Sequence, residues 1–351
     1  MKRKKSFFYR HGYTLLFSLA LTLLTGYVLL DTFVLPRAGT SVATASAAST
    51  ADIQTIQSIE SVPESSIDTV DDANADTNVD ATAEGLDSAG TAVQTSAVGA
   101  DASSETIVTD NVYSGNGISI VITTVRISNT TAYVANVQLT SANSLQTALA
   151  QNTFGSNITQ TTSEMASENS AILAINGDYY GANKRGYVIK NGVLYRDTVR
   201  QGDDTQDLAI YADGSFAIVD ETEVSAQELL DSGVVQLFAF GPALIEDGVV
   251  QVSDTDEVSR AKTSNPRTAI GIIDDLHYII VVADGRTKES DGLSLLELAD
   301  LMESYGCVTA YNLDGGGSST MVFNGVVVNN PTTNGSSITE RSVSDIVYIS
   351  A

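Results

Sequence analysis

Five short stretches place polar residues directly beside apolar runs. They are Asn176-Gly177-Asp178-Tyr179-Tyr180, Asn265-Pro266-Arg267-Thr268, Asp284-Gly285-Arg286, Asn312-Leu313-Asp314-Gly315-Gly316-Gly317-Ser318, and Arg341 ahead of the last apolar run. A strand holds its terminal residue in place while the adjoining loop gives access, which is where catalytic groups concentrate. Carboxylates suit glycosyl transfer, where positive charge develops at an anomeric carbon. Arginine and exposed backbone N–H groups suit an anion, above all a phosphate. A sugar joined through its anomeric carbon to a phosphodiester would use both halves. Three consecutive glycines carry a large entropic cost, so the turn at Gly315 to Gly317 needs positive φ angles or a bare backbone for something to approach.

Other chemistries fit less well. No lysine follows the glycines and a strand rather than a helix follows the turn, which excludes a Walker loop. A nucleophilic Ser318 or Ser319 lacks the G-x-S-x-G setting and would depend on His277, since the only other histidine is His11. No Cys/His spacing for zinc and no EF-hand spacing is present, so the scheme calls for no metal and no cofactor. Taken singly, each candidate has a plainer reading. Asp284-Gly285 and Asp178 are ordinary turn chemistry, Arg267 and Arg341 could form surface ion pairs, and Glu297 caps a helix.

The elements that hold these residues point to an α+β fold, a large mixed or antiparallel sheet with several hairpins and a few packed helices. Ile118, Ile120 and Ile122 alternate with polar neighbours and lead into Tyr133 to Leu139 as a hairpin. Asn191-Gly192 carries the strongest hairpin turn signal, and Asp213-Gly214, Asp247-Gly248 and Asn324-Gly325 repeat the device. Residues 268–273 and 278–283 read as adjacent core strands, because both are nearly all apolar. Ser294 and Glu297 form a capping box ahead of Leu295, Leu298, Ala299 and Met302, and Gly306 ends that helix. Leu145, Ala148 and Leu149 suggest a further short helix, and 163–169 another. The strands expected to carry the site are 171–175, 308–312 and 343–349.

Acidic residues outnumber basic ones by 43 to 18, for a formal charge of -25, which argues against a nucleic-acid partner. Residues 1–36 divide into a basic cluster (Lys2, Arg3, Lys4, Lys5, Arg10) and an uncharged apolar run, 13–30. About 18 residues at about 1.5 Å each approach the thickness of a bilayer core. With the basic cluster inside, the rest would lie outside the cytoplasm as a single-pass, membrane-anchored protein. The A-x-A patterns at Ala43 and Ala45 also fit secretion after signal cleavage, but they lie well beyond the apolar run, so the anchor is preferred. Residues 37–106, rich in Ala, Ser, Thr and Asp, read as a disordered stalk with one weak helical spacing at Ile53, Ile56 and Ile59. The catalytic domain is expected over 107–351. Cys307, the only cysteine, reads as a small buried hydrophobe.

In this order and context the motifs Asn176-Gly177-x-Tyr179-Tyr180, Arg267-Thr268-Ala269-Ile270-Gly271, Ala283-Asp284-Gly285, the helix with Gly292 and Glu297, and Asn312 to Ser318 resemble the phosphodiester glycosidase family. That family includes the enzyme that uncovers mannose 6-phosphate by removing N-acetylglucosamine from a phosphodiester. The resemblance covers 171–349 and implies hydrolysis between a sugar C1 and a phosphate oxygen. It implies Asp314 as base or charge stabiliser, Asp284 as second carboxylate, and Arg267, Arg341 and N–H groups of Gly315, Gly316, Gly317 and Ser318 on the phosphate. Asn176 is expected on sugar hydroxyls, with Thr268 and Asn312 completing the binding site. The mammalian member lacks counterparts of Asp178 and Arg286, so neither is expected to be essential. The substrate implied is a sugar-phosphate glycopolymer of the cell wall or an exported polysaccharide. A non-catalytic wall-binding module of the same fold, and cleavage at P–O instead of C–O, stay open as alternatives.

Overall fold

The computed structural model describes residues 7–44, 106–202, 205–256 and 264–351. Two antiparallel sheets dominate. The larger has nine strands in the spatial order 249–250, 243–246, 309–312, 267–274, 277–283, 130–139, 118–127, 112–115 and 107–108. The smaller has five, in the order 326–327, 321–323, 173–176, 345–349 and 145–149.

The near-continuous apolar strands are explained by cover on both faces. One face of the large sheet, through Ile270, Ile272, Ile280 and Val282, packs against Leu173, Ile175, Val347 and Ile349 of the small sheet. The other, through Ala269, Ile279 and Val281, receives Leu295, Leu298, Ala299 and Met302 of the helix Leu295–Ser304. Each buried Leu or Ile side chain stabilises the fold by roughly 1.5–3 kcal/mol relative to exposure. The helix begins with the expected reciprocal cap: Ser294 Oγ accepts from Glu297 N, and the Glu297 carboxylate accepts from Ser294 N. Cys307 is buried in the same layer, and burial pushes its thiol up to about 12.

Two expectations need correction. Residues Leu145–Leu149 form a strand, not a helix, paired in register with Asp345–Ile349. The edge of the small sheet offers five residues of ladder, and this overrides a weak helical spacing. At the other end of the chain, Phe7–Phe33 is helical. Among the described residues, however, no helix is long and apolar enough to cross a membrane. The structure therefore lends the expected anchor no support. Leu16, Leu19 and Leu23 on it are largely exposed.

The first residues of the expected stalk are paired with the rest of the fold. Arg37–Ala38 pairs with Gly155–Ser156, and Ala43–Thr44 pairs with Val193–Leu194. Asn157 Nδ2 donates to Leu35 O at 3.2 Å. The rest of the expected stalk, from 45 to 105, including Ile53, Ile56 and Ile59, lies outside the described residues.

Candidate active site

The glycine turn is the crossing between the two sheets. The chain leaves the large sheet at Asn312 and enters the small one at Met321. Asp314 sits at that crossing, stitched to the other sheet by Asp314 N donating to Gly177 O (3.2 Å) and Asn176 Nδ2 donating to Asp314 O (2.6 Å). A cleft of about 320 Å³ opens beside it, with Asp178, Tyr179, Asp314, Ser318 and Arg341 in its wall. Asn157 contributes to the rim, so the segment after the first helix reaches the cleft edge.

Asp314 Oδ2 accepts from Ser318 Oγ at 2.5 Å and from Arg341 Nη2 at 3.0 Å, while Arg341 Nε donates to Ser318 Oγ at 3.0 Å. Both donors fall on Oδ2, which leaves Oδ1 for a substrate. Burial pushes the Asp314 carboxyl above its ordinary range, and Asp178 adds to this; Arg341 and the Ser318 hydroxyl pull the other way. Burial wins because the Arg341 side chain is 43% exposed and water screens its charge, whereas that of Asp314 is 14% exposed.

Of the four N–H groups expected on the phosphate, two are engaged within the protein. Gly316 N donates to Pro266 O (2.8 Å), Ser318 N to Gly315 O (3.3 Å), and Ser319 N to Gly316 O (3.3 Å), so the N–H groups of Gly316 and Ser318 are spent within the protein. A Cβ would meet Pro266 O at Gly315 (2.9 Å), Arg286 Nη2 at Gly316 (2.8 Å) and Thr333 Oγ1 at Gly317 (2.6 Å). Gly315 and Gly317 are held to glycine by close approach of a neighbour, and Gly316 by its φ of 63°.

Five of the expected site residues are placed away from the cleft wall. Asn176 is fully buried, and besides its bond to Asp314 O its Oδ1 accepts from Thr268 Oγ1 (2.9 Å) and Thr320 N (3.2 Å). Asn176 and Thr268 are thus braces inside the crossing instead of contacts to sugar. Asn312 is fully buried and donates through Nδ2 to Gly241 O at 2.7 Å. Asp284 is 3% exposed and accepts from Asn330 N (2.8 Å), Asn330 Nδ2 (2.9 Å) and Asn329 Nδ2 (3.3 Å), which ties down the loop after the small sheet's edge strand. Arg267 is 3% exposed and donates through Nε to Leu293 O at 2.9 Å. Asp314, Ser318 and Arg341 are brought together; Asn176 and Gly315 to Gly317 form the scaffold behind them.

What the sequence reading set aside, the structure puts in the cleft wall. Asp178 Oδ1 accepts from Tyr180 N (2.8 Å), and its Oδ2 accepts from Ala239 N (3.2 Å) and lies 3.4 Å from Lys190 Nζ. Lys190 is fully enclosed, 2.8 Å from Asp345 Oδ2 and over the Phe238 ring. Burial pulls the Lys190 ammonium down, yet Asp178 and Asp345 together leave it raised. Burial pushes Asp345 up to about 7 against the pull of Lys190, with Asp178 adding to the rise. The cluster lies directly behind the cleft floor, since a Cβ on Gly177 would sit 2.5 Å from Asp345 Oδ1. Tyr179, 37% exposed and edge-on to Phe240 at 4.9 Å, presents the one partly exposed ring named in the wall.

This is a two-sheet fold whose strand crossing presents a carboxylate, a serine and an arginine to a cleft. The chain belongs to the phosphodiester glycosidase family, whose sequence profile matches residues 169–350, just over half of it. Among relatives, the SPbeta prophage-derived uncharacterized protein YomE of Bacillus subtilis is 31% identical over 239 residues, 67% of this chain and 36% of that protein. The mouse N-acetylglucosamine-1-phosphodiester alpha-N-acetylglucosaminidase is 34% identical over 122 residues, 31% of this chain and 23% of the enzyme. The chain therefore spans about a third or less of these relatives' length. The catalytic domain of the zebrafish enzyme of that name shares the fold, with a TM-score of 0.53 and 21% identity over 67% of this chain and 83% of that domain.

Proposed function

We propose that the protein hydrolyses the bond between a sugar anomeric carbon and a phosphodiester oxygen, releasing free sugar from a cell-wall or exported glycopolymer. The observation that carries this reading is Asp314 Oδ2 held by Ser318 and Arg341 at one wall of the cleft, with Asp178 and Tyr179 in the same lining. Tyr179 gives a sugar ring an apolar face to rest on. Arg341, with Nη1 beyond the bonds described, offers the phosphate a cation beside the carboxylate.

In the reaction a water oxygen bonds to C1 while the C1–O bond breaks, and its electron pair stays on the phosphate oxygen. A phosphate monoester is a weak base and leaves with little help from an acid. Asp314 Oδ1 takes the proton of the attacking water or stabilises the positive charge at C1, and Asp178, spent on Tyr180 N, Ala239 N and Lys190, braces the cleft wall. The basic cluster at Lys2 to Lys5 ahead of the apolar run 13–30 is the sequence feature that favours a location on the outer side of a membrane.

The test is the full chain in detergent acting on an α-sugar-1-phosphodiester in ¹⁸O-water. Free sugar carrying the label is expected; label in phosphate would mean P–O cleavage. Tight binding of a glycopolymer with no sugar released on long incubation would instead mark a recognition module.

A further inference from the structure

Arg286 has no assigned role, and the structure treats it unlike an incidental surface arginine. Its backbone is in the left-handed region, φ 61°, a conformation that non-glycine residues rarely adopt. The strand end at Asp284 and close packing of Gly335, where a Cβ would fall 2.0 Å from Arg286 O, hold it there. The side chain is thereby aimed over the glycine turn, with Nη2 2.8 Å from where a Cβ of Gly316 would be.

Its hydrogen bonds go to neutral oxygens only: Nη1 donates to Thr333 O at 2.6 Å and Nη2 to Asn265 Oδ1 at 3.1 Å. Among the described residues no carboxylate pairs with it, whereas Arg341 across the turn is paired with Asp314. Burial lowers the Arg286 guanidinium from its ordinary value, the like charges of Arg341 and Arg267 lower it further, and Asp314 only partly offsets them. A chain with 43 acidic residues has no shortage of carboxylates to pair with it, so an arginine held at left-handed backbone without an ion pair among the described residues marks a place for an external anion.

We propose that Arg286 forms a second anion subsite beside the Asp314–Arg341 cleft and takes a further phosphate on the leaving-group side of the substrate. The substrate class is then a glycopolymer with repeating phosphodiesters, in which the group released from the sugar carries the next phosphate. This rests on the reading above that the cleft cleaves sugar phosphodiesters.

The experiment compares two synthetic substrates with the full chain in detergent: a sugar-1-phosphodiester with a neutral alkyl group, and one whose alkyl group ends in a second phosphate. The wild type is expected to favour the second in kcat/KM by about tenfold or more, the usual worth of one charge-assisted contact, and high salt should shrink that preference. In Arg286→Gln the preference should collapse to near unity, chiefly through KM, and Arg286→Lys should keep part of it. Calorimetric binding of the bis-phosphate compound should weaken by the same factor in Arg286→Gln. An Arg286→Gln protein that retains the preference, or falls equally on both substrates with unchanged binding preference, overturns the subsite and leaves Arg286 as a loop staple. Wild-type inactivity on both substrates overturns the glycosidase reading instead, while the binding comparison still decides for or against Arg286.

Discussion

Two turns in this molecule have almost the same sequence and face the same end of the large sheet. Ala283-Asp284-Gly285 follows the strand His277–Ala283, and Leu313-Asp314-Gly315 follows the strand Thr309–Asn312, with Arg267–Asp274 lying between them. Both glycines pack on Pro266: a Cβ would meet Pro266 N at Gly285 (2.6 Å) and Pro266 O at Gly315 (2.9 Å). What separates them is the company of the carboxylates. Asp284 receives three amide donors from one adjoining loop and is sealed. Asp314 receives a hydroxyl and a half-exposed guanidinium on one oxygen and lines a cleft with the other side. A carboxylate saturated by amides holds a loop; one satisfied on a single oxygen by groups that a substrate can also contact is fit for chemistry.

The comparison breaks most visibly at Asp314. Replacing it with Asn keeps the shape but removes the negative charge and the base, and kcat/KM for sugar release should fall by about 10³, within the 10²–10⁴ typical of general acid–base groups. Circular dichroism should show the fold intact. Sugar release within a few-fold of wild type would remove Asp314 from the mechanism and with it the distinction drawn between the two turns.

Arg341→Met comes next. It removes the cation that counters burial, so the Asp314 carboxyl should titrate at still higher pH. If ionised Asp314 serves the reaction, the acid limb of the kcat/KM profile moves to higher pH and activity at neutral pH drops by about tenfold or more. An unmoved acid limb would mean that Arg341 does not tune Asp314.

Asp284→Asn tests the other turn. Losing a charged acceptor for three amide donors should lower stability by about 1–3 kcal/mol in denaturant melts. Its effect on kcat should be small beside that of Asp314→Asn. Equal loss of activity in the two variants would restore Asp284 to the site.

Much of this was readable from residue patterns, and the failures share a cause. Alternating or continuous apolar runs gave most strands, and Ser294 with Glu297 gave the main helix start, because these signals are local. Leu145 to Leu149 carries a weak helical spacing yet forms a strand, because its partner Asp345–Ile349 lies far along the chain and a ladder outweighs spacing. Asn176, Thr268 and Asn312 drew attention as polar residues beside apolar runs, yet each sits within a strand and spends its polar atoms bracing the crossing. Asp178 gained its place only when topology set it beside Lys190 and Asp345. The available signal was Lys190 itself, a lysine closing the otherwise apolar Val188-Ile189 strand ahead of Asn191-Gly192.

That buried cluster gives the cleft side of the comparison a proton store that the Asp284 side lacks, and it can be read through stability. Asp345 in the folded protein titrates near 7, well above the 3.8 of an ordinary aspartate, because burial outweighs the attraction of Lys190. As pH rises above about 4 the unfolded chain gives up this proton first, while the folded chain keeps it until about 7. Stability from this group is therefore complete below about 4, falls as pH rises towards 7, and levels off above. Asp345→Asn cannot titrate there, so the stability difference between wild type and variant should shift against the wild type by roughly 1 kcal/mol per pH unit across that window, the limit for one proton being about 1.4. Parallel urea melts at pH 5, 6, 7 and 8 measure it. A difference that stays constant from pH 5 to 7 would show that Asp345 is already ionised beside Lys190 and that no proton is stored behind the cleft floor.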